Sequence, residues 1–223
     1  MIHFKPPCVP IWIFFLCFPL TTSAIAGNVY MGLDVGYSET RFHPEYTYVD
    51  GSPSDTYLDP AYGQSGSLLI GYTHPVFPGL ALGLQGRFGY ANDTWTLDTN
   101  EPAHLTYQIP YFYTISLRST LQVVPPLLVF LDAGIGQGYI QERKESPTSS
   151  QYDFKEWKPG YSAGGGIEYH LTENWSMNVS YRYTAYEKIS FESYLPNGSH
   201  WETIEDTPNN RMISWGLTWH FLP

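Results

Sequence analysis

The stretch ISWGLTWHF, Ile213–Phe221, puts Ile213, Trp215, Leu217, Trp219 and Phe221 on one parity and Ser214, Gly216, Thr218 and His220 on the other. Side chains of an extended strand alternate between two faces, so this strand has one broad apolar face and one small, polar face. The same alternation returns in seven earlier segments, at about 28–40, 65–74, 79–91, 105–121, 127–140, 159–171 and 175–186, with the quoted strand spanning about 210–221. Each is long enough for one tilted crossing of a bilayer.

The connections between these segments alternate in length. Three are short and carry turn chemistry: His74 to Gly79 with two prolines, Gln122 to Pro126, and Thr172-Glu173-Asn174. The other four, at about 41–64, 92–104, 141–158 and 187–209, are long and hold most of the acidic residues. An antiparallel sheet with all its tight turns at one end and all its long loops at the other is what this order predicts.

The two faces then decide the solvent. The outer face reads Val29, Met31, Leu33, Val35, Tyr37 in the first strand, Leu80, Leu82, Leu84, Phe88, Tyr90 in the third, and Leu105, Tyr107, Ile109, Tyr111, Tyr113, Ile115, Leu117 in the fourth. The inner face carries Asp34, Arg87, Arg118, Asp132, Glu168 and Arg182 among glycines. A soluble ligand-binding barrel would have to bury those six charges in an apolar core or turn whole aliphatic strands toward water, whereas a lipid-facing exterior accepts both faces as they are. The expected fold is all-β, an eight-stranded antiparallel up-and-down transmembrane β-barrel. Leu69, Phe112, Leu128 and Phe130 fall on the nominal inner face, and Pro110 interrupts the fourth strand, where a bulge would shift the register.

Residues 1–26 read as a signal peptide: a weakly basic start (His3, Lys5), an apolar run from Val9 to Leu20, and an Ala24-Ile25-Ala26 cleavage site. The barrel domain is expected over 27–223. Cys8 and Cys17 both lie in the signal, so disulfides are not expected to stabilise the mature chain. Loss of Lys5 takes the net charge from −10 to −11, which excludes nucleic acid as a partner. Aromatic residues, at 17%, outnumber charged ones, at 14%, an inversion suited to a surface facing lipid and headgroups.

The run GGIEYHLTENWSMNVSYRY (Gly165–Tyr183) resembles the sixth-strand, tight-turn, seventh-strand hairpin of the OmpA-like and opacity-protein-like eight-stranded outer-membrane barrels. The strand ISWGLTWHF is similar to that family's terminal assembly signal, although here Leu222 and Pro223 follow Phe221. The resemblance implies a place in the cell outer membrane and a C-terminal strand read by the barrel-assembly machinery. The peptidoglycan-binding domain of some members is not expected.

A lumen ringed by eight strands is about wide enough for its own side chains to fill. The six inner charges, three acids and three arginines, are therefore expected to pair across it as a polar network, since each would be costly unpaired. His170 and His220 point inward near the turn end by parity and read as polar filler. Tyr169, Trp175, Trp219 and Phe221 form one expected interfacial girdle at the turn end, and Tyr37, Tyr90, Tyr107, Tyr139, Tyr161 and Tyr183 another at the loop end.

Function on such a scaffold belongs to the loops. The first loop supplies Tyr46, Tyr48, Tyr57 and Tyr62 as candidate contacts, with Asp50, Asp55 and Asp59 spaced unlike a calcium loop. The third mixes signs (Glu142, Arg143, Lys144, Glu145, Asp153, Lys155, Glu156, Lys158) and offers contacts to lipopolysaccharide phosphates. Some barrels of the resembled family modify lipid A, and the only local group of suitable types is Ser199-His200-Trp201-Glu202, whose adjacent side chains point apart. The expectation is a non-enzymatic surface barrel without cofactor or metal, serving structure and loop-mediated adhesion or host contact. Its partners would be outer-membrane lipid, lipopolysaccharide, the assembly machinery and a host or surface protein. A narrow ion or small-solute channel is the alternative, and a lipid A-modifying enzyme the third reading.

Overall fold

The computed structural model describes residues 28–55, 59–98, 104–145, 152–195 and 198–221. Eight strands close into a ring: β1 (Asn28–Arg41), β4 (Ala61–Phe77), β5 (Leu80–Ala91), β7 (His104–Val124), β8 (Leu127–Glu145), β9 (Tyr152–His170), β10 (Trp175–Tyr186) and β13 (Asn209–Phe221). Every neighbouring pair is antiparallel. The ring runs β5-β4-β1-β13-β10-β9-β8-β7 and is sealed by pairing of β5 with β7. β1 and β13 zip the two ends of the chain together in unbroken register, from Val29 opposite Phe221 to Arg41 opposite Asn209.

Alternation sets the faces as the sequence predicts. Val29, Met31, Leu33, Val35 and Tyr37 are all exposed on the outer wall, as are Leu82, Leu84, Phe88 and Tyr90. A band of this height matches the ~9–11 residues that a tilted strand needs to cross hydrocarbon. Inward glycines give the lumen room for large partners. Phe112 covers Gly89, the Tyr30 ring covers Gly71, and Phe130 covers Gly166, which explains why the apolar residues Leu69, Phe112 and Phe130 sit on the inner face and are buried there.

The fourth barrel strand departs from the expected register. A bulge between Gln108 and Tyr111, where Pro110 has no amide hydrogen to donate, adds a residue and reverses the parity beyond it. Tyr107 and Ile109, assigned above to the lipid face, are buried inside instead, and Tyr107 is therefore not part of the outer girdle.

The four long connections are also more ordered than loops. β7, β8 and β9 run for 21, 19 and 19 residues, far beyond one crossing, so the stretches 141–145 and 152–158 are strand. β6 (Thr94–Asp98) pairs with the upper part of β7. β2 (Glu45–Tyr48), β3 (Pro53–Asp55), β11 (Ile189–Tyr194) and β12 (His200–Asp206) form a second sheet in the order β11-β12-β2-β3. That sheet leans on the tall wall through Phe191, which stacks on Phe154 at 5.0 Å and meets Tyr152 at 4.9 Å.

Candidate functional site

The six inner charges meet in three pairs. Arg87 binds Asp34 and also donates to Ser67 Oγ at 2.8 Å. Arg182 holds Asp132 in a two-point contact, at 2.6 and 3.0 Å. Arg118 binds Glu168, donates to Gln85 Oε1 at 3.0 Å and lies over the Phe130 ring at 3.8 Å. All six are buried. Gly216 is required beside them, because a Cβ there would run into the Asp34 carboxylate and the Asn178 amide.

Three further layers fill the space above and below. Toward the turn end, Glu168 Oε1 accepts from Ser176 Oγ at 2.6 Å and lies 3.0 Å from His220 Nε2. Toward the loop end, Thr40 of β1 and Asn210 of β13 both reach the buried carboxylate of Asp93. Above that clasp lies an apolar layer of Phe42, Ile109, Ile140, Tyr186 and Ile189, with Tyr107 beside it.

Beyond this apolar layer, past the height of Tyr139 and Trp157, sits a second buried polar group. Tyr107 Oη lies 3.3 Å from Tyr46 Oη and 3.0 Å from Tyr152 Oη. Glu142 and Asp206 face each other there; burial pushes the Glu142 carboxyl well up and the Asp206 carboxyl to about 6. The His43 amide donates to Asp206 at 2.6 Å, and Lys144 lies 3.7 Å from the buried Glu202. Burial also pushes the Tyr46 hydroxyl up to about 12.

The first-loop tyrosines divide. Tyr46 points into this buried layer, and Tyr62 stands on the barrel wall stacked on Tyr37 at 6.1 Å, so neither is a loop contact. Tyr48 packs edge-on against Trp201 at 6.0 Å, and Tyr57 lies outside the described residues. Asp50 is used locally, accepting from the Ser52 amide at 2.9 Å. Ser199 and His200 are exposed, with the His200 ring edge-on to Tyr194 at 5.9 Å, while Glu202 is buried beside Lys144. At the turn end, Trp175 and Trp219 meet edge-on at 4.7 Å, with Phe221 and Tyr169 alongside on the outer wall. The exposed residues that loop composition did not single out are Val49, Tyr194 and Trp201, at the tip of the second sheet.

Residues 13–221 match the model of the outer membrane protein beta-barrel domain. The chain belongs to this family of outer-membrane β-barrels. Its tight turns therefore face the periplasm and its second sheet stands outside the cell. The chain is 23% identical over 200 residues to the 31 kDa outer-membrane immunogenic protein of Brucella melitensis, covering 83% of each chain. In fold it is similar to the outer membrane protein OprG of Pseudomonas aeruginosa (TM-score 0.59, 13% identity, 89% of this chain and 98% of that one). It is also similar to the outer membrane protease OmpT of Escherichia coli (TM-score 0.56, 12% identity, 87% and 97%). At such identities the likeness of these two structures is one of architecture. This outer-membrane barrel resides in the cell outer membrane, as its relatives' names state of them.

Proposed function

We propose that this outer-membrane barrel is a non-enzymatic display scaffold that holds a folded extracellular sheet against a protein partner, such as a host or neighbouring surface protein. The observation that carries this reading is the second sheet: its inner side is anchored by Ile189, Ile204 and Phe191, while its tip leaves Val49, Tyr194 and Trp201 exposed. Aromatic side chains held on a rigid sheet lose little entropy on binding and are the usual anchors of protein interfaces. The naming of the Brucella relative as immunogenic agrees with a surface that other proteins meet.

The lipid partners follow from height on the wall. Arg143 and Lys155 are exposed just beyond Tyr139 and Trp157, at the level of headgroup phosphates, and would contact lipopolysaccharide there. β13 would engage the assembly machinery before it closes on β1. Exposure of Ser199 and His200 away from buried Glu202 supports a role without chemistry.

The test is binding of bacteria displaying the barrel to epithelial cells and matrix proteins. The double variant Tyr194→Ala, Trp201→Ala should lower binding by roughly tenfold, as loss of central aromatic anchors does, with the heat-modifiable gel mobility of the barrel intact. Unchanged binding in that variant would remove the reading.

A further inference from the structure

We propose that the periplasmic mouth of the barrel is a binding site for a divalent transition metal of the zinc class, held by Glu168, His170 and His220. One ligand atom from each of the three lies within 4.8 Å of the others. The residues come from two strands that flank β10, Glu168 and His170 from the end of β9 and His220 from the end of β13. Their convergence depends on the barrel: His170 and His220 are far apart in the chain, yet their rings stand 5.0 Å apart.

The donor set selects the ion. Two imidazoles and one carboxylate suit zinc, copper or nickel and disfavour calcium and magnesium, which take oxygen ligands. Tetrahedral bonds of about 2.0–2.2 Å put neighbouring ligand atoms roughly 3.3 Å apart. His220 Nε2 and Glu168 Oε1 already stand at 3.0 Å, and a His170 ring nitrogen lies within 4.8 Å of both, so binding would draw that ring inward. His170 makes no side-chain hydrogen bond among the described residues, so turning its ring toward the other two ligands breaks none.

The surroundings complete the site. Ser176 Oγ donates to Glu168 Oε1 at 2.6 Å and Arg118 binds the other oxygen, which fixes the carboxylate as outer partners of metal ligands do. The Arg118 cation already neutralises much of the Glu168 charge and repels a second cation, so the site is expected to be weaker than one with an unpaired glutamate. A cavity of about 230 Å³ opens beside the three residues, lined also by Asn28, Thr73 and Gln122, and gives the ion an entry path and room for a water as fourth ligand. Bound metal would staple β9 to β13 across β10, next to the seam where β13 meets β1.

The experiment uses tag-free protein refolded in detergent, with ZnCl₂ for calorimetry and CoCl₂ for absorbance. The expected result is one zinc per barrel, a cobalt visible spectrum of the tetrahedral type, and a rise in the temperature at which the folded gel band disappears. His170→Ala should weaken zinc binding by more than about tenfold and abolish the thermal rise, whereas His74→Ala, at the same end of the barrel but on the outer wall beside Tyr72, should change neither. The proposal is overturned if His170→Ala binds zinc as the parent does, if His74→Ala weakens binding equally, or if the parent barrel gives no stoichiometric binding. The cobalt spectrum of the parent protein needs no variant, so a folding defect in His170→Ala would leave the question decided by that measurement.

Discussion

The carboxyl groups of Glu142 on β8 and Asp206 on β12 face each other inside the extracellular layer, where both side chains are almost wholly buried. Among the described residues no nitrogen or hydroxyl donor reaches either oxygen of Glu142, so two ionised carboxylates would repel each other and the contact favours a state in which one carboxyl keeps its proton. The second sheet is thereby fastened to the barrel wall by a contact that depends on pH.

The sign follows from the raised values. Burial lifts the Asp206 carboxyl to about 6 and raises that of Glu142 as well, whereas an unfolded carboxyl titrates near 4. The folded layer thus binds protons that the unfolded chain releases, and its contribution to stability is full below about pH 4 and lost as pH rises through about 6 and above. The groups facing the pair are Glu202, Lys144, His43 and the Tyr46, Tyr107 and Tyr152 hydroxyls. The hydrogen-exchange protection factors of 189–206, corrected for the intrinsic exchange rate at each pH, should be higher at pH 5 than at pH 7.5, and Glu142→Gln, whose amide can donate to Asp206 at any pH, should flatten the difference. Equal protection at the two pH values in the parent protein would contradict this.

Removing one partner of a buried ion pair strands the other. Arg182→Ala, which leaves Asp132 buried and unpaired, should destabilise the barrel by about 3–5 kcal/mol. The double variant Arg182→Ala, Asp132→Ala should cost less than the sum of the two single changes. Urea unfolding followed by gel mobility in micelles measures both, and strict additivity would show that the pair does not interact.

Gly216 on β13 and Gly66 on β4, the two strands that flank β1, offer a comparison. A Cβ at Gly216 collides with Asp34, the partner of Arg87, whereas one at Gly66 makes only an ordinary contact at 3.7 Å. Gly216→Ala should therefore cost about 1–3 kcal/mol and Gly66→Ala close to nothing. The same unfolding assay distinguishes them, and equal losses would place the cause in the backbone instead of the Asp34 contact.

The lumen is obstructed twice, by the three ion pairs and by the apolar layer of Phe42, Ile109, Ile140, Tyr186 and Ile189. Planar-bilayer recordings of the parent barrel should show no steady conductance, and neither should Arg87→Ala, because the apolar layer still closes the outer end. Opening of Arg87→Ala alone would favour the alternative reading of a narrow channel.

Much of the candidate site was legible in the chain for a local reason. Each inward charge sits on the parity opposite Val35, Phe88 or Leu117, so its direction follows from its own strand. The register shift at Pro110 was visible as a proline but not in its effect, since only pairing with β8 shows that Tyr107 and Ile109 turn inward. The extracellular sheet was missed because Glu202 and Asp206 alternate with Trp201 and Glu205, which reads as a solvated loop until Lys144 and Glu142 are seen to receive the acids.

The sequence by itself determined the eight barrel strands, the two faces, the lipid band and the interior charges, because alternation is a property of consecutive residues. Only the tertiary structure decided which arginine meets which acid, that the outer connections build a sheet, and that His170 stands beside His220. Those facts depend on ring closure and on register between strands distant in the chain, and no short-range pattern encodes the distance between them.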